Sequence, residues 1–147
     1  MERKNKMKDF VCTVLGLTGS AVTTLLGGWS AGMTTLLIFM IIDYVSGLCV
    51  AGIFKKSKKS ENGALQSKAG WKGLCKKGMM LAIVLVAYRL DVMIGTSYAK
   101  DAVIIGFVVN ETISIIENAG LMGLPLPDVL MRAVDILNEK AKKNENV

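Results

Sequence analysis

The sequence predicts an all-α integral membrane protein with about four transmembrane helices, a basic loop between the second and third, and a C-terminal amphipathic helix. Three observations carry this reading. Of 147 residues, 52% are hydrophobic, and the mean hydropathy is +0.45; a soluble domain this small cannot hide so much apolar surface. Four runs approach the roughly 20 residues that cross a hydrocarbon core about 30 Å thick. None shows the period-two alternation of barrel strands, which leaves helices as the way to satisfy backbone polar groups in lipid.

The first predicted span covers residues 10–28. It is free of charge but weakly apolar, since nine of its 19 residues are Gly, Ser or Thr. Thr13, Gly16, Ser20, Thr24 and Gly27 recur at spacings of three and four. Such a small-residue stripe lets helix backbones approach closely, within one molecule or between copies. The preceding basic residues, the apolar Phe10–Leu17 and Gly19-Ser20-Ala21 also resemble a cleavable leader, a rival reading of this stretch. Trp29 and Ser30 link to the second span, 31–54, which is apolar apart from Asp43. The third, 78–95, contains Arg89 and Asp91. The fourth, 102–121, follows a short polar turn. Together, residues 1–121 form the expected transmembrane domain. Gly123-Leu-Pro-Leu-Pro127 breaks the helix, and residues 122–147 form a charged tail. There Leu130, Ala133, Val134, Leu137 and Ala141 keep helical spacing.

Charge placement then sets orientation. The chain carries 18 basic and 12 acidic residues, a net charge of +6. Sixteen of the 18 basic residues lie in the N-terminus, the 55–77 loop and the tail. The positive-inside rule therefore puts both termini and that loop in the cytoplasm. The loop motif Ser67-x-x-Gly70-x-x-Gly73-Leu-x-Lys76-Lys77 reads as a juxtamembrane polybasic segment attracted to anionic lipid. Nucleic acid is not an expected partner, because Trp71 is the sole aromatic in that loop. With no histidine and three scattered cysteines, the chain offers no imidazole chemistry, CxxC pair or zinc set. It also lacks a nucleophile–base pair and a phosphate-binding glycine loop. No enzyme activity, cofactor or metal is expected.

The remaining polar residues lie inside the apolar runs. By residue count Asp43, Arg89 and Glu111 fall near the membrane midplane, where each costs about 2.5–3.5 kcal/mol unpaired. Pairing Arg89 with Glu111 or Asp43 is the expected remedy, with Ser46 and Gly47 continuing the seam. In the fourth span Asn110, Glu111, Ser114, Glu117 and Asn118 fall within about 120° of a helical wheel. That stripe must face other helices or water. A register-fixing polar network and a hydrated path are both consistent with it.

Several of these motifs, in order, resemble the holins of Gram-positive phages and clostridial toxin loci. They are Asp43-Tyr-Val-Ser46-Gly47, the Ser67–Lys77 loop motif, Asp91, Asn110-Glu111-x-x-Ser114-Ile-x-Glu117-Asn118 and Gly123-Leu-Pro-Leu-Pro127. The resemblance implies a small protein that accumulates in the bacterial cytoplasmic membrane and associates with itself. It would then open a non-selective lesion through which a muralytic enzyme or toxin leaves, without necessary contact between the two. A proton-coupled transporter using Glu111 or Asp43 would instead show substrate-dependent proton flux across an intact membrane. A non-pore adaptor would keep its function when its helices were exchanged for unrelated spans.

Overall fold

In a computed structural model of the chain, residues 2–59, 62–130, 132 and 136 are described, with side chains from residue 5 onward. The described residues form four helices and no strand: α1 (Glu2–Leu25), α2 (Ala31–Cys49), α3 (Ser67–Ile94) and α4 (Ala99–Leu121). A π-helical turn, Val50–Phe54, prolongs α2 and ends at Lys55, which is left-handed with φ 51°. The α-helical part and this turn together cover the predicted 31–54 segment.

α2 packs chiefly on α4, and α3 closes against α4 and, less, α2. α2 and α4 run in the same direction, with α3 antiparallel to both. The two short turns, 26–30 and 95–98, meet at one end of the bundle, and residues 55–59 and 62–66 lie at the other. Met33, Leu36 and Met40 from α2, Met80 and Val84 from α3, and Ile104 from α4 make the buried apolar core. These positions are spaced by threes, fours and sevens, the seam of closely packed, nearly parallel or antiparallel helices. Gly32 permits the close approach: a Cβ there would stand 3.2 Å from the Ile104 side chain. On the outside, Ile38, Ile41, Val45, Ile83, Val86, Leu90, Ile105 and Val109 are all exposed. Such an apolar belt is unstable in water and suits lipid.

α1 stands apart. Residues 5–22 are exposed throughout, and Thr13, Thr18, Thr23 and Thr24 satisfy their hydroxyls on carbonyls of their own helix. A Cβ at Gly16 or Gly19 would meet nothing. The expected small-residue stripe is therefore uncovered within one molecule, except at Gly27, which belongs to the turn after α1 and packs on Tyr88.

Among the described residues, two helical segments, Ala31–Phe54 and Ala99–Leu121, are long and apolar enough to cross a membrane, rather than the four expected. α1 falls short because Gly, Ser and Thr dilute it. α3 falls short because Lys76, Lys77, Arg89 and Asp91 lie within or beside its apolar run. α3 also corrects a boundary. It starts at Ser67, not 78, so the supposed loop motif forms its first three turns. α4 ends at Leu121, and the chain turns at Gly123, φ 84°, whose N–H bonds the Gly120 carbonyl, while Leu124 N–H bonds that of Ala119. Asp128–Leu130 resume helical geometry. The expected amphipathic tail beyond them lies largely outside the described residues.

Candidate functional site

Halfway along α2 and α4, three charged side chains meet in the interior. Lys77 Nζ of α3 donates to Asp43 Oδ2 of α2 at 2.8 Å and also to Glu111 Oε2 of α4. Relative exposures are 6% for Asp43, 9% for Lys77 and 3% for Glu111. Removal from water on this scale costs several kcal/mol per ion, and only direct pairing with hydrogen bonds offsets it. Asn118 extends the cluster. Its Nδ2 donates to Asp43 Oδ1 at 3.2 Å, to the Asp43 carbonyl at 3.3 Å and to Ser46 Oγ at 2.9 Å. The triad thus clamps one residue from each of three helices, and Asn118 ties α4 to α2 a second time. With both carboxylates ionised the triad carries one negative charge in excess, which a proton or a further cation would neutralise.

This arrangement corrects the expected Arg89 pairing. Arg89 is exposed, and among the described residues Lys77 makes the ion pairs to both carboxylates. The reason is register. Asp91 binds the backbone N–H groups of Ala99 at 3.0 Å and Lys100 at 2.8 Å, and accepts from Thr96 Oγ1 at 2.6 Å. It thereby caps α4 and sets the antiparallel α3–α4 pair, so that Arg89 lies level with residues near Ala102, roughly 13 Å along the axis from Glu111. Lys77, eighteen residues before Gly95, reaches the right depth.

The fourth-span stripe is split. Glu111 and Asn118 turn inward and are buried, Ser114 is half-buried, and Asn110 and Glu117 are exposed. Of the Ser67–Lys77 motif, Gly70 and Gly73 face the Tyr44 ring, where a Cβ would make ordinary contacts of 3.6 and 3.9 Å. Lys76 is exposed beside the triad, and Ser67 opens the helix.

A second polar tie closes the opposite end. Lys100, 8% exposed, donates from Nζ to the carbonyls of Gly27 at 3.3 Å and Gly28 at 3.4 Å. It also sits 5.6 Å from the centre of the Tyr88 ring, a cation–π distance. The sequence reading places Lys77 in a lipid-attracted loop motif and misses its role as the interior cation, the tie made by Lys100 and the capping role of Asp91. Their signal was present: Lys77, Met80, Val84, Ala87 and Asp91 are the buried residues of α3, and they continue one helical face.

The fold and this site define a class: a small helical membrane protein whose helices are registered by buried charge. The chain belongs to the bacteriophage holin family, whose model matches residues 20–139. That family is non-enzymatic. Relatives include an uncharacterized protein of Clostridium perfringens strain 13, 34% identical over 88% of this chain and 93% of its own. One from Listeria monocytogenes is 38% identical over 75% of this chain and 74% of its own. A probable holin of Bacillus phage phi105 is 25% identical over 75% and 79%. No solved structure matches.

Proposed function

We propose that this protein is a holin that assembles with copies of itself in the bacterial cytoplasmic membrane and opens non-selective lesions, releasing a muralytic enzyme or toxin and timing lysis. The observation that carries this reading is the buried Asp43–Lys77–Glu111 triad at mid-height of two helices apolar enough to span, in a chain of the holin family. Midplane charge is expensive and marks a functional interior. The triad holds one copy closed and soluble in lipid. The outward Asn110 and Glu117 and the uncovered α1 then supply polar and small-residue faces for neighbouring copies or water. In this reading α3 crosses beside α2 and α4, its polar residues shielded by them, and α1 makes the fourth crossing. Residues 1–121 form the membrane part, and 122–147 the cytoplasmic tail.

The test is controlled expression in a bacterium with membrane potential and cell density recorded. Abrupt depolarisation after a lag is expected, with lysis only when a cytoplasmic muralytic enzyme is co-expressed. Growth without depolarisation at full membrane accumulation overturns the holin reading. Orientation is tested with single cysteines in a chain whose three native cysteines are replaced by alanine. An impermeant maleimide is expected to label Ser97→Cys in intact cells and Lys58→Cys only after permeabilisation. Labelling of Lys58→Cys in intact cells overturns the placement of both termini inside.

A further inference from the structure

Beside the triad, at the loop end of the bundle, lies a cavity of about 480 Å³ between α2, residues 57–59 and 64–66, the start of α3 and α4. Asp43, Lys77 and Glu111 form its floor, and Leu48, Ala51, Leu65 and Met80 give it apolar walls. Lys59, Lys72 and Lys76 stand at its mouth and are exposed. Four lysines and two carboxylates line it, so its charge balance is positive. Lys77 is spent on both carboxylates, which leaves the positive surplus at the mouth. α3 also begins here. Its N-cap residue Gln66 and first-turn residues Ala69 and Gly70 line the cavity, and Gln66 makes no side-chain capping bond. The opening N–H groups and positive dipole end of a 28-residue helix therefore add to the lysines.

We propose that this cavity binds the phosphate-bearing headgroup of an anionic phospholipid drawn from the leaflet on the loop side. Its volume lies within the roughly 300–1,000 Å³ of small-molecule sites, and admits a headgroup and glycerol unit while the acyl chains remain in the bilayer. Its height fits, because the apolar run of α2 ends beside it at Phe54 and basic pockets between spans at that level suit lipid headgroups. Charge complementarity selects the occupant: phosphate faces the mouth lysines, away from the carboxylate floor. The bound headgroup bridges the loop, α3 and α2 and stabilises the bundle beside the triad. The inference takes only the membrane placement from the proposed function.

The experiment uses the full chain carrying Trp29→Phe, purified into nanodiscs, so that Trp71, next to Gly70 and Lys72, is the sole tryptophan. Its quenching by phosphatidylglycerol with brominated acyl chains is compared with that by brominated phosphatidylcholine. A preference for phosphatidylglycerol of about fivefold is expected, the scale of lysine attraction at an anionic surface. Lys59→Gln, Lys72→Gln and Lys76→Gln together reduce it to below about twofold. Lys55→Gln, Lys56→Gln and Lys58→Gln together remove the same charge outside the cavity and leave the preference. Ala69→Phe fills the cavity with every lysine in place and abolishes it. Equal loss in both lysine triples, or full preference in Ala69→Phe, reduces the effect to diffuse surface attraction and overturns the site. Displacement by soluble glycerol phosphate at equal concentration makes it a free-phosphate site and overturns the lipid assignment. Lysis timing is read separately, so failure of lipid selectivity and failure of the holin reading are distinguishable.

Discussion

Replacing Lys77 with methionine is expected to remove most of the protein from the membrane fraction. The substitution keeps the length of the side chain and leaves Asp43 and Glu111 facing each other in the interior without a cation. Breaking a buried pair by deleting one partner costs about 3–5 kcal/mol, a large part of the stability of so small a bundle. The triple change Asp43→Asn, Lys77→Met, Glu111→Gln deletes all three charges and is expected to restore accumulation, because an uncharged interior carries no desolvation debt. Glu111→Gln alone leaves a one-to-one Lys77–Asp43 pair and is expected to accumulate normally. Arg89→Leu, at an exposed position, is expected to change accumulation little. Quantitative blotting of membrane fractions, with onset of depolarisation measured on the same cultures, checks the series. A Lys77→Met protein as abundant as the parent would sink the clamp.

Gly27→Ala is expected to destabilise the bundle by about 2–4 kcal/mol, from left-handed strain and overpacking together. Gly27 has φ 75°, where a side chain is strained, and its added Cβ would overlap the Tyr88 ring. The ring has little room to yield, since Lys100 lies over it and holds the Gly27 and Gly28 carbonyls. Gly16→Ala and Gly19→Ala, inside α1 where a Cβ meets nothing, are the controls and are expected to be neutral or to stabilise by up to about 1 kcal/mol through helix propensity. Denaturation in mixed detergent micelles, followed by helical circular dichroism, measures all three. Adding Tyr88→Ala to Gly27→Ala is expected to recover part of the loss, because it removes the overlap but not the backbone strain.

The limits of sequence reading show most clearly in the polar residues. Asp43 and Glu111 were recognisable as interior groups because charge inside a long apolar run has few places to go. Counting residues from the ends of apolar runs points to Arg89 as their partner. That count starts the third span at 78 and so puts Lys77 in a loop. A basic residue at the head of an apolar run reads as an anchor in solvent. The helix actually begins eleven residues earlier, at Ser67, and carries Lys77 inward. The wheel of α4 likewise grouped five polar residues on one side. A seven-residue repeat separates them: Ile104, Glu111 and Asn118 are buried in line, while Asn110 and Glu117 flank the seam. Leu36, Asp43 and Val50 repeat the same interval along α2 and into the π-helical turn, and Lys77, Val84 and Asp91 along α3.

By itself the sequence determined that the chain is helical, that α2 and α4 are apolar enough for lipid, and that their few internal charges must be sheltered. Those properties depend on composition and local spacing, which one helix at a time displays. Which cation meets which carboxylate was decided only when Asp91 capped α4 and fixed how far α3 slides along it. The same holds for Gly27, one of five small residues at equivalent spacing, which is set apart only because the fold gives it a left-handed turn and brings Tyr88 against it. Depth and azimuth relative to another helix are relations between segments tens of residues apart in sequence. They follow from the packing of whole faces, and no local pattern carries them.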